Sequence, residues 1–101
     1  MTNIIIRYKA KPEAAELNTK LIEDVFRELA AAKPDGIAYA VLRTDDGTFF
    51  HIASYENDET NAKLTSLPAF ETFQKDGQSR RIAPPERDTI TVVGNYRILA
   101  K

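Results

Sequence analysis

The chain has 101 residues, with 14 basic and 15 acidic side chains, a net charge of −1, and neither cysteine nor tryptophan. That length suits one domain over residues 1–101 with a modest core, and the missing cysteine excludes disulfides, thiolate nucleophiles and zinc–thiolate sites. Near-zero net charge argues against nucleic acid or an anionic membrane as a partner, no apolar run approaches the roughly 20 residues of a bilayer crossing, and the first residues read as a strand rather than a secretion signal, so a cytoplasmic location is expected.

Asn3 to Lys9 opens with Ile4, Ile5 and Ile6 and predicts a strand. Pro12 suits a first helical turn, and Glu13 and Glu16 favour its positive end. From Pro12 to Lys33, Leu17, Leu21, Ile22, Val25, Phe26 and Leu29 recur in steps of three and four, the stripe of an amphipathic helix. Pro34-Asp35-Gly36 ends it. Ile37 to Thr44 and Thr48 to Tyr55 form two further strands. Between them Asp45-Asp46-Gly47 fits a three-residue hairpin loop, with Gly47 left-handed. Asp58 caps a short helical turn through Leu64. Ser66 caps a second main helix that starts at Pro68 and runs to Arg80 or Arg81, weakened at Gly77. Arg80 and Arg81 read as its solvated end. Ile82 to Glu86 is an extended connector, and Asp88 to Leu99 reads as a fourth strand.

The order β-α-β-β-α-β predicts an α+β, ferredoxin-like fold with an antiparallel four-stranded sheet and both helices on one face. The hairpin pairs Thr44 with Thr48, hence Arg43 with Phe49, Val41 with His51 and Tyr39 with Ala53. Side chains alternate across a sheet, so two sets emerge. Ala38, Ala40, Leu42, Phe50, Ile52 and Ser54 are small or aliphatic and are expected under the helices, with Ile4, Ile6 and Tyr8 of the first strand. Tyr39, Val41, Arg43, Phe49, His51, Ala53 and Tyr55 are expected on the uncovered face. With Ile5 and Val93, that face would exceed the apolar patch a monomer usually exposes, which points to a two-fold homodimer with sheets face to face. The alternative is a monomer with an open, partly polar sheet.

Several stretches resemble one family. Gly36-Ile37-Ala38-Tyr39, Asp46-Gly47-Thr48-Phe49-Phe50-His51, Leu64-Thr65-Ser66-Leu67-Pro68-Ala69-Phe70, and Pro84-Pro85 ahead of Thr91-Val92-Val93-Gly94 make the chain similar, from Asn3 to Ile98, to antibiotic biosynthesis monooxygenase (ABM) proteins of the dimeric α/β-barrel superfamily. The resemblance implies a homodimer whose sheets form an eight-stranded barrel, with a small pocket between sheet and helices. It implies no cofactor: some members oxidise polycyclic phenols or quinols with molecular oxygen alone, others degrade haem, and many have no known activity. The chain lacks the tryptophan of both oxidising types. It also lacks a histidine on the second main helix and has Asn3 only at the start of its first strand, which argues against haem degradation.

His51 is the only histidine and can titrate near neutrality, so it is the candidate catalytic base towards a phenol or acidic C–H. The competing reading is a histidine satisfied by hydrogen bonds within the structure. Tyr39, Tyr55, Asn95 and Phe70 are candidate binding residues for a small aromatic ligand. Arg7, Arg43 and Arg97 read as strand-end or ion-pair groups before they read as an anion site. No metal motif, phosphate loop or nucleophile elbow is present. Two functions follow: a cofactor-independent monooxygenase for a small aromatic or quinol-type metabolite, or a non-catalytic homodimeric small-ligand-binding or structural module. A pocket of about 300 Å³ or more opening onto His51 would favour the first.

Overall fold

The computed structural model describes residues 1–98. Four strands, β1 (Thr2–Lys9), β2 (Ile37–Arg43), β3 (Thr48–Tyr55) and β4 (Glu86–Thr89), form one antiparallel sheet in the order β2-β3-β1-β4. Helix α1 (Ala15–Ala32) follows a short 3-10 turn at Pro12–Ala14. The predicted second helix is broken into α2 (Asp58–Thr65), α3 (Pro68–Gln74) and α4 (Gly77–Arg80). The expected ferredoxin-like α+β order is present.

The hairpin register is the one the loop dictates. Val41 lies opposite His51 and Tyr39 opposite Ala53. Gly47 donates its N–H to the Thr44 carbonyl at 3.1 Å and takes a φ of 86°, which a residue with a Cβ adopts only with strain.

The face assignment is reversed from expectation. Phe49, His51, Ala53 and Tyr55 are buried beneath the helices, and Phe49 is only 1% exposed. Tyr39 stacks on Phe26 of α1 with ring centroids 5.1 Å apart. Strand β1 enforces this choice, because Ile4, Ile6 and Tyr8 pair with Ala53, His51 and Phe49 and so share their side of the sheet. The physical reason is area: aromatic side chains bury about 150–250 Å² each, whereas Ala38 and Ala40 offer the helices little. The uncovered face is therefore that of Ile5, Ala40, Leu42, Phe50 and Ile52.

Three boundaries also differ. The apolar stripe of α1 runs through Ala15, Asn18, Ile22 and Val25, leaving Leu17 54% exposed. Ser66 belongs to the end of α2, where its hydroxyl donates to the Ala62 carbonyl at 2.6 Å. The Ala69 N–H at the start of α3 instead donates to the Glu28 carboxylate of α1, at 3.0 Å. Asn57, not Asp58, caps α2 in a reciprocal box with Thr60.

Strand β4 stops at Thr89 rather than continuing to Leu99, which lies outside the described residues. It runs antiparallel to β1, with Thr89 opposite Ile4 and the Ile90 N–H donating to the Asn3 carbonyl. Strand β1 begins at Thr2, which the register places opposite Thr91, so residues 92–98 have no strand beside them among the described residues. Val92, Val93, Tyr96 and Ile98 of this segment are exposed, Val93 fully.

Candidate functional site

The sheet and helices enclose a cavity of about 230 Å³. Its floor is the helix-side face of β1, β2 and β3, including Ile6, Tyr39 and His51, and its walls include Leu64, Phe70 and Phe73 from α2 and α3. Rings pack around His51: Phe73 stacks on it at 5.5 Å between centroids, and Tyr8 is tilted against it at 5.3 Å. The cavity opens onto His51, as the enzyme reading asks, but at less than the volume set for it. It suits one or two rings rather than a polycycle.

A linear chain of hydrogen bonds runs through this floor. Arg80 Nε donates to Asn18 Oδ1 at 2.9 Å. Asn18 Nδ2 donates to the Tyr8 hydroxyl oxygen at 2.9 Å. That hydroxyl lies 2.8 Å from His51 Nε2, and the Tyr39 hydroxyl lies 2.6 Å from His51 Nδ1. The donors and acceptors can be assigned from one end. A guanidinium only donates, so Asn18 must turn its oxygen to Arg80 and its amide N–H to Tyr8. The Tyr8 oxygen then accepts from Asn18, and its own O–H finds an acceptor only at Nε2. Nδ1 therefore carries the imidazole proton and donates to Tyr39. The Tyr39 O–H is left over and is available to whatever enters the cavity. The opposite tautomer would leave the buried Tyr8 O–H with no acceptor, which costs about 1–3 kcal/mol.

Burial sets the charge states. It lowers the His51 pKa to about 4, so the ring is neutral at neutral pH. Burial also raises the pKa values of the Tyr39 and Tyr8 hydroxyls, which stay protonated. Desolvation lowers that of Arg80, yet its guanidinium is held by Asn18 and by the Phe73 and Lys75 carbonyls.

Of the residues singled out from sequence, the structure brings His51, Tyr39 and Phe70 to the cavity. Both ring nitrogens of His51 are engaged by tyrosines, so it reaches an occupant through Tyr39. Tyr55 is buried in a neighbouring part of the core with Ile4 and Ala53 and does not line the cavity. Asn95 lies in the exposed segment after β4, where its side chain accepts the Ile98 N–H at 3.1 Å. The three arginines do not converge. Arg7 pairs with Glu86, Arg43 pairs with Glu16 of α1, and Arg97 lies over Tyr96.

Tyr8, Asn18, Arg80 and Arg81 are the residues that sequence reasoning missed. Arg80, expected at a solvated helix end, is 6% exposed. One signal was available for Asn18. At 18, 22, 25 and 29 it sits in step with the apolar stripe, and a lone amide there implies a buried partner. Among the described residues no group of three or more His, Cys, Asp or Glu could hold a metal ion.

No protein-family profile matches the chain, and no curated protein matches it. Solved structures do. The fold defined above, a four-stranded antiparallel sheet with helices on one face, is the ferredoxin-like class. Within that class the chain has the fold of antibiotic biosynthesis monooxygenase proteins. It is similar to an antibiotic biosynthesis monooxygenase at 14% identity and a TM-score of 0.73, covering 93% of this chain and 100% of that one. It is similar to Rv0793 from Mycobacterium tuberculosis at 14% identity and 0.73, covering 93% and 96%. NE2512 from Nitrosomonas europaea, a protein of unknown function, is similar at 14% and 0.70, covering 94% and 91%. Identities this low establish the fold alone. No helix is long and apolar enough to cross a membrane among the described residues.

Proposed function

We propose that this chain is a cofactor-independent monooxygenase acting on a small aromatic or quinol-type molecule, and that it works as a homodimer. One observation carries the reading: the Tyr39 hydroxyl ends a directed relay as a free donor in an aromatic-walled cavity. The substrate gives its hydroxyl proton to solvent at the cavity mouth, and the Tyr39 donor favours the anionic phenol or quinol oxygen that results. The phenolate is itself the reductant. It passes an electron to oxygen, the resulting radicals join at a ring carbon, and loss of water leaves a carbonyl, so that one ring CH–OH pair plus O₂ becomes a quinone plus water. Tyr39 touches the substrate, Phe70 and Phe73 wall its ring, and His51 is a positioning residue acting through Tyr39. Tyr55 and Asn95 are assigned no part.

The dimer reading is supported by the uncovered face, with Ile5, Leu42, Phe50 and Ile52, and by the apolar segment after β4 that lacks a strand neighbour. Oxygen uptake with hydroquinone and naphthohydroquinone tests the chemistry. Turnover above the uncatalysed rate, falling about tenfold or more in Tyr39→Phe with the circular dichroism unchanged, supports it. Binding of both quinols without oxygen uptake would favour the non-catalytic module, whose support is the neutral, fully engaged His51.

A further inference from the structure

The cavity also includes basic side chains in its lining. Arg81 and Arg87 both line it, and no Asp or Glu does. Neither guanidinium has an ion-pair partner among the described residues. Arg81 follows α4, and its guanidinium carbon lies 5.8 Å from the Tyr8 ring centre. Its Nε is buried without any hydrogen-bond partner. The backbone makes room for the group. A Cβ on Gly77 would stand 2.8 Å from Arg81 Nη1, so a side chain there would displace the guanidinium. Arg87 lies opposite Ile6 in the β1–β4 register and is exposed, so it adds field rather than a fitted contact. Arg80, behind the floor, is already committed to Asn18, Phe73 and Lys75. Asp76, whose charge Arg80 feels, does not line the cavity.

We infer that the occupant is a hydroxyaryl carboxylate, its ring hydroxyl at Tyr39 and its carboxylate at the Arg81 guanidinium that lines the cavity. A guanidinium is a permanent cation with several N–H donors, which pairs with a carboxylate more strongly than with a neutral amide. This inference rests on the proposal that the cavity takes a small aromatic molecule, and it names the substituent that selects among such molecules.

The test compares para-hydroxybenzoate with its uncharged isostere para-hydroxybenzamide, by calorimetric titration of the full chain. The acid is expected to bind about tenfold or more tightly than the amide, with a preference that shrinks as salt rises. Arg81→Gln should erase the preference while sparing amide binding, Arg81→Lys should keep part of it, and Arg87→Gln should reduce it less. Equal binding of acid and amide by the wild type, or a preference that survives Arg81→Gln, overturns the inference and leaves the aromatic-ligand proposal standing. Failure of both probes to bind overturns the two together. Should Arg81→Gln not fold, the wild-type acid-to-amide ratio and its salt dependence decide.

Discussion

The Tyr39 hydroxyl lies 2.6 Å from His51 Nδ1, and the direction of that bond is set four residues away along the relay, by Arg80. Because arginine cannot accept, each following group has one arrangement that leaves no buried polar atom bare. The result is a neutral imidazole held in a single tautomer. The protein has one histidine, so its nitrogen resonances can be read without assignment. The expected ¹⁵N spectrum at neutral pH shows a protonated Nδ1 and an unprotonated Nε2. Asn18→Leu removes the anchor, and the two nitrogens should move towards a mixture. The same substitution bares Arg80 Nε and should cost about 2–3 kcal/mol in urea unfolding. An unchanged tautomer in that variant would refute the directional assignment.

His51 also predicts a pH dependence. Its pKa is lowered from 6.5 in the unfolded chain to about 4 in the folded one. Between those values the unfolded state binds the extra proton, so the stability from keeping His51 neutral is complete above pH 6.5 and is lost as pH falls towards 4. The expected loss between pH 6.5 and 4.5 is on the order of 2 kcal/mol. Carboxylates titrate over part of the same range, so the measurement is the difference between wild type and His51→Asn in parallel urea titrations. Equal slopes for the two proteins would rule out a buried, neutral ring.

Phe49 and Phe50 are neighbours in sequence and opposites in environment. Phe49→Ala removes a ring that is 1% exposed and stacks on Tyr8, and should cost about 3–5 kcal/mol. Phe50→Ala acts on the uncovered face and should cost the isolated subunit much less. Thermal unfolding of dilute protein, with midpoints compared pairwise, checks this. A larger loss for Phe50 would restore the opposite sidedness.

Phe50→Glu or Leu42→Glu places a charge on the face assigned to the partner subunit. On the proposed homodimer, the wild type is expected to run at twice the subunit mass in multi-angle light scattering and either variant at the mass of one subunit. A wild type that remains a lone subunit at every concentration would remove the homodimer from the proposal.

Much of the scaffold could be read from the sequence because local signals fixed it. The triad Asp45-Asp46-Gly47 set the hairpin register, and Pro12 and Pro34 bracketed α1. The sidedness could not, because it depends on how β1 pairs with β3, a contact between residues some 40 positions apart that leaves no local mark. Tyr8 was placed under the helices, but without that pairing nothing linked it to His51. The end of β4 failed for a related reason: Val92 and Val93 have strand propensity, and what they lack is a neighbour. At the site, the residue types of His51, Tyr39 and Phe70 were informative. Arg80 and Arg81 were misread because a basic pair after a helix normally faces water.

The alternation of side chains along β3 puts His51 on one surface of the sheet and Phe50 and Ile52 on the other, with only the backbone between. Whatever docks on the outer surface therefore makes no direct contact with the ring that orients Tyr39. On the proposed dimer and ligand, substitutions at Phe50 act on subunit association without touching the cavity, and substitutions at Phe70 or Arg81 act on ligand choice without touching the outer face. Such insulation lets a chain this short change one property at a time.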